Sequence, residues 1–144
     1  MSGRAHGSFR IVVEAPFVIV TFADMWNAEL MPVLSEQFKA AVTKELLPVA
    51  PHWGVIADLT DFLGQPHEAF GSWKELLDWS TEHGQVAAAL VGPKFFERVA
   101  APIEEARSSH VQRMSFKRLD EGRQWMLEVL NGAGTTQSTD EFIR

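Results

Sequence analysis

The chain has 144 residues, a size that suits one domain able to bury roughly 68–70% of its unfolded surface without covalent staples. It contains no cysteine, which excludes a disulfide framework, a thiolate zinc site, an iron–sulfur cluster and a cysteine nucleophile. The formal net charge of −6 opposes non-specific nucleic-acid binding, which needs clustered cations to displace phosphate counterions.

Taken in chain order, a polar start with Arg4 and His6 lacks the apolar stretch of a secretory leader, and no run approaches the ~20 apolar residues of a membrane span. A soluble, cytoplasmic protein is expected, with residues 1–8 flexible and the domain proper over residues 9–131. Phe9 to Glu14 and Phe17 to Ala23 are rich in Ile, Val, Phe and Thr and are separated by Ala15-Pro16. Proline cannot donate into a ladder, so the pair reads as a hairpin.

From Asn27 to about Leu47 the period becomes helical. Leu30, Leu34, Phe38, Ala41 and Val42 form one stripe, Glu36, Lys39 and Lys44 face out, and the regular helix begins near Pro32. Trp53 to Leu59 resembles a buried parallel strand that stops near Asp58. A second helix spans Pro66 to about His83, with Phe70, Trp73, Leu76 and Leu77 on its inner stripe and Gly84 as its stop.

Val86 to Val91 is the next strand. Phe95, Phe96, Val99, Ile103 and Ala106 mark a third helix, and Val111 to Phe116 a last strand. Asp120 caps a final helix that Asn131-Gly132 ends, and residues 132–144 read as a flexible tail. The order β-β-α-β-α-β-α-β-α defines a single α/β domain with a mixed sheet, and its parallel crossovers are expected to be right-handed.

Motifs that carry chemistry are missing: there is no GxGxxG, Walker loop, GxSxG elbow or HExxH helix. His67-Glu68 opens like the last of these, but Gly71 occupies the position of the second histidine, so no metal and no cofactor is expected. Asp58 and Asp61 fall at a strand end and in the following loop, where such sheets bind things. An enzyme would need one of them to converge with His67 in a single cleft.

Two further features concern partners. The cations Arg107, Arg113, Lys117, Arg118 and Arg123 cluster near the last strand, as a solvated face or as a docking patch for an acidic partner. Trp73 and Trp125 lie on core stripes. Trp79, beside Asp78 and Ser80, and Trp26, before the first helix, are left as candidates for an exposed aromatic anchor.

The element order and the segment Val55-Ile56-Ala57-Asp58-Leu59-Thr60 resemble the STAS domain, in which a buried strand ends in Asp-Leu-Ser before a loop and a helix. The strand Val86 to Val91, Phe116, and the pattern from Asp120-Glu121 to Trp125-Met126 are similar to its divergent SpoIIAA-like subgroup. The resemblance spans roughly Phe9 to Leu130. It implies a layered, non-enzymatic switch module that binds a regulatory protein or, in some members, a small ligand, and that in the phosphorylated anti-sigma-factor antagonists takes phosphate on a serine at the start of the second helix.

Here the matching segment is Pro66-His67-Glu68-Ala69, which has no hydroxyl, and Ser72 comes later. Glu68 is read first as a helix-stabilising acid, an effect of ~0.3–1 kcal/mol, and alternatively as a fixed imitation of the phosphate. The binding surface expected from the resemblance comprises Asp58, Asp61, His67, Glu68 and Ser72. A rival reading is a carrier that holds a small apolar or anionic, lipid-like ligand between sheet and helices, lined by Phe70, Trp73, Phe95 and Phe96. A homodimer is compatible with either.

Overall fold

The computed structural model describes residues 7–64, 70–93 and 111–139. β1 (Ser8–Glu14) and β2 (Phe17–Met25) form the expected hairpin, joined through a cis Ala15–Pro16 bond. α1 (Leu30–Ala41) follows and passes into a π-helical turn, Val42–Leu46. β3 (Trp53–Gly64), α2 (Phe70–Glu82), β4 (Gln85–Val91), β5 (Gln112–Phe116) and α3 (Leu119–Thr139) complete the described elements. The helix expected over Phe95 to Ala106 lies outside the described residues.

The five strands stand in chain order across one mixed sheet, with β1 antiparallel to β2 and β2 through β5 parallel. Alternation along β2 sends its side chains into two cores. Val18, Val20 and Phe22 face α1 and α2, where Leu34, Phe38, Val42, Leu46, Trp53 and Leu76 join them. Phe17 and Ile19 face the other way, toward Ile56, Ala87, Ala89, Val91 and the α3 residues Met126 and Leu130. The result is a helix–sheet–helix sandwich.

Small residues set how closely α3 approaches. A methyl group on Gly54 would run into the Met126 thioether, and one on Gly122 would come within 3.1 Å of the Val91 side chain. Pro32 sits in the first turn of α1, where its missing N–H leaves no intrahelical bond unmade. The π turn closes with Leu47 N–H donating to Val42 O at 2.9 Å and keeps Val42 and Leu46 pointing into the core.

Three local expectations need correction. β3 does not stop at Asp58 but runs six residues further along β2, because two register shifts let it carry extra residues against that strand. α3 begins at Leu119, one residue before Asp120. It does not stop at Asn131-Gly132 either, since Gly132 lacks the left-handed φ that makes a glycine a helix terminator. Trp26, taken as a surface candidate, is buried: its indole N–H lies between Ser8 O at 3.2 Å and Ala23 O at 3.0 Å and ties the ends of β1 and β2 together.

Candidate functional site

Parallel strands end together, and the mouth at their C-terminal ends is where an open α/β sheet offers unpaired groups to a ligand or partner. β2, β3 and β4 end at different heights here. The β3–β4 pairing closes at Asp58 opposite Val91, whereas β2 and β3 remain paired as far as Met25 opposite Gly64. β2 and β3 therefore project beyond the end of β4 as a parallel ribbon, flanked by β1 as far as Ala23 and two-stranded over its last pairs, Asp24 with Phe62 and Met25 with Gly64.

Asp58 marks the base of that ribbon. Its Oδ1 accepts from the Thr60 backbone N–H at 3.1 Å and from the Thr60 hydroxyl at 2.7 Å. The carboxylate thus fixes the first register shift, which lies between Thr21 and Ala23 on β2, by a local side-chain turn. Asp61 pairs in register with Ala23 and is exposed. Asp24 holds a φ of 69°, a left-handed conformation that aspartate tolerates better than most side chains. It precedes the second register shift and turns Trp26 into the core.

Beneath the ribbon lies an aromatic cluster on the α1–α2 side. Phe22 is 5.0 Å from Trp26, 5.7 Å from Phe62 and 5.6 Å from Trp73 between ring centroids, and Trp26 meets Phe62 edge-on at 6.0 Å. Offset and edge contacts of this kind add about 0.5–1.5 kcal/mol each beyond area burial, so the ribbon stands on a rigid base. Trp73 spends a face of its ring in this packing.

Of the residues expected to act, Asp58 and Asp61 are brought to one end of β3. Ser72 is the third residue of α2 and is half-buried. His67, Glu68, Phe95 and Phe96 and the side chain of Phe70 lie outside the described residues. Among the described residues no three of His, Asp and Glu gather where a metal ion could sit.

Of the five clustered cations, Arg118 and Arg123 are held by neighbouring carboxylates, and Arg107 lies outside the described residues. Arg118 grips Asp120 through two bonds at 3.1 and 2.8 Å, and Arg123 reaches Glu14 at 2.7 Å. Trp79 is half-buried, with His83 stacked on it at 4.2 Å and the Lys39 ammonium 5.7 Å from its ring centre.

Sequence reasoning missed Met25 and Leu63 at the tip of the ribbon, which are 56% and 67% exposed. The only signal for them was the apolar pair Phe62-Leu63 following the acidic loop, and it reads equally well as core.

A five-stranded mixed sheet in this order with helices on both faces is a STAS-like α/β fold. No family model and no curated protein matches the sequence. Solved structures do match its fold. A DUF3478-family protein with a SpoIIAA-like fold from Shewanella loihica PV-4 is similar at a TM-score of 0.60 and 13% identity, over 88% of this chain and 98% of that one. An anti-sigma factor antagonist from Mycobacterium paratuberculosis is similar at a TM-score of 0.55 and 11% identity, over 88% of this chain and 97% of that one. The chain thus has the SpoIIAA-like fold expected from the order of its elements. No helix among the described residues is long and apolar enough to cross a membrane.

Proposed function

We propose that the chain is a regulatory binding module of the anti-sigma-factor-antagonist type, which recognises a protein partner and transforms nothing. The observation that carries this reading is the match of nearly the whole of an anti-sigma factor antagonist to this chain, taken with a projecting ribbon where the fold presents its strand ends. The working surface is the end of β3, with Asp58 and Asp61, together with Ser72 in α2 and the residues His67 and Glu68 that precede that helix in the sequence.

In this reading the module works without the family's phosphoacceptor. The sequence Pro66-His67-Glu68-Ala69 offers no hydroxyl, and the Ser72 side chain is half-buried, which hinders access by a kinase. Asp58 organises the ribbon while Asp61 meets the partner.

Native mass spectrometry of the protein isolated from its own cells tests the proposal. The expected result is a complex of this chain with a different polypeptide and no mass added by phosphate. A chain that instead carries only a small molecule, or is phosphorylated on Ser72, would overturn it.

A further inference from the structure

Trp26 and Phe62 enter the aromatic cluster on the α1–α2 side, whereas their neighbours Met25 and Leu63 stay out of both cores and are exposed at the tip. Among the described elements, α3 packs on β3, β4 and β5 and leaves the outer strands β1 and β2 largely uncovered on its side of the sheet. Arg10 and Val12 on β1 are exposed, and Thr21 and Asp58 on β2 and β3 are half-exposed. Register sets Arg10, Thr21 and Asp58 in one row across the three strands.

Met25, opposite Gly64, and Leu63, the residue just before Gly64, thus both lie at the tip of the ribbon; the carboxylates of Asp24 and Asp61 lie beside them on the same two strands, and that of Asp58 lies at the ribbon's base. Asp24 and Asp61 are exposed and hold no ion pair within the described residues. Arg10 is the one cation of the row, two strands away from Asp58. Large exposed side chains that stand together mark interaction sites far more often than single ones do.

We infer that this tip is the docking surface for a polypeptide segment that presents apolar side chains flanked by lysine or arginine. The inference rests on the binding-module reading above and specifies the chemistry of the partner. Charge selects the occupant. The rim is acidic and the whole chain carries −6, so a second copy would set like charges against each other, which costs several kcal/mol at close range. A cationic segment meets the rim favourably while its apolar side chains cover Met25 and Leu63. Hydrophobic contact then supplies the hold and the carboxylates supply selection and faster encounter.

Two-dimensional amide NMR titration with three Gly/Ser-spaced synthetic peptides tests this. One carries two leucines flanked by lysines, one the leucines flanked by glutamates, and one lysines with no leucine. The Leu–Lys peptide is expected to shift the resonances of Met25, Leu63 and Asp61, to bind at least about tenfold more tightly than either control, and to weaken as salt rises.

The variants Met25→Ser/Leu63→Ser and Asp24→Lys/Asp61→Lys should each lose about tenfold in affinity for it while keeping the dispersed wild-type spectrum. Equal binding of the Leu–Glu peptide, absence of binding by the Leu–Lys peptide, or shifts confined to another face would overturn the inference. So would a dimer, seen in sedimentation of the protein alone, that Met25→Ser/Leu63→Ser dissociates. A polypeptide partner found by native mass spectrometry together with a failed titration would sink the partner chemistry and leave the module reading standing. Failure of the mass measurement removes that reading whatever the peptides do.

Discussion

Gly84 follows α2 at a φ of 108°, and a methyl group there would run into the carbonyl oxygen of Pro51. Backbone cannot move aside as a side-chain tip can, so Gly84→Ala combines a disfavoured φ with a collision and should cost about 3 kcal/mol or more. Gly71 lies in the first turn of α2 with open space around it. There the extra methyl only restricts the unfolded chain, and Gly71→Ala should add ~0.5–1 kcal/mol. Urea denaturation of both variants checks the pair, and similar effects for the two would contradict the geometry. Asp24 supplies a third case, because its left-handed φ suits glycine better than any branched side chain. Asp24→Gly should leave stability level or raise it, whereas Asp24→Val should lose about 1–2 kcal/mol. Neither Asp24 nor Trp26 could be read correctly from sequence. Whether an Asp-Met-Trp run turns its indole inward depends on one φ angle, and no periodicity reports that.

The start of α3 is an electrostatic device on a single turn. Asp120 Oδ1 accepts from the Glu121 backbone N–H at 3.0 Å and the carboxylate holds the Arg118 guanidinium at 2.8 Å, with both side chains well exposed. The hydrogen bond from Arg118 holds the Asp120 carboxyl below the usual carboxylate range. A depressed acid stabilises the folded form above its unfolded pKa, and that contribution fades as pH falls through the lower folded value. The stability difference between wild type and Asp120→Asn should therefore be present at neutral pH, vanish in acid below the ordinary carboxylate range, and shrink with salt. A difference unchanged at low pH would assign the effect to helix propensity instead. Elements of this kind were legible where two signals agreed: Ala-Pro between two β-rich runs gave the hairpin, and Gly84 gave the end of α2. They were misread where one signal stood alone. Asp58, Thr60 and Asp61 look like loop, yet β3 continues through them because β2 still offers a ladder and the Asp58 carboxylate accepts from the Thr60 backbone and hydroxyl at the irregularity. Asn131-Gly132 looks like a stop, but a glycine inside a helix costs only about 1 kcal/mol and terminates nothing unless its φ becomes positive. The exposed Met25 and Leu63 escaped for a related reason: apolar residues in a strand read as core, and their exposure follows from α3 crossing β3, β4 and β5 instead of the ribbon.

At the scale of the whole molecule the sheet is shared by two cores of unequal size, and this governs how damage on one side is felt on the other. Four of the five tryptophans, Trp26, Trp53, Trp73 and Trp79, belong to or pack against the α1–α2 core, while Trp125 packs on the α3 side near Phe116. Met126 is fully buried on that second side, against Gly54 in the middle of the sheet. Met126→Ala opens a cavity there and should cost about 2–5 kcal/mol. β3 supplies Trp53 and Leu59 to one core and Ile56 to the other, so α3 cannot be loosened without weakening the strand on which the opposite core is built. A domain of this size usually unfolds as one cooperative unit. In a Trp125→Phe background, fluorescence reports only the α1–α2 core, and circular dichroism reports every helix. Adding Met126→Ala to that background should move both denaturation midpoints down together, with the slope against denaturant unchanged. If helical signal were lost first while the four tryptophans kept their folded emission, α3 would be an independently docking element. The single sheet would then not couple the two faces.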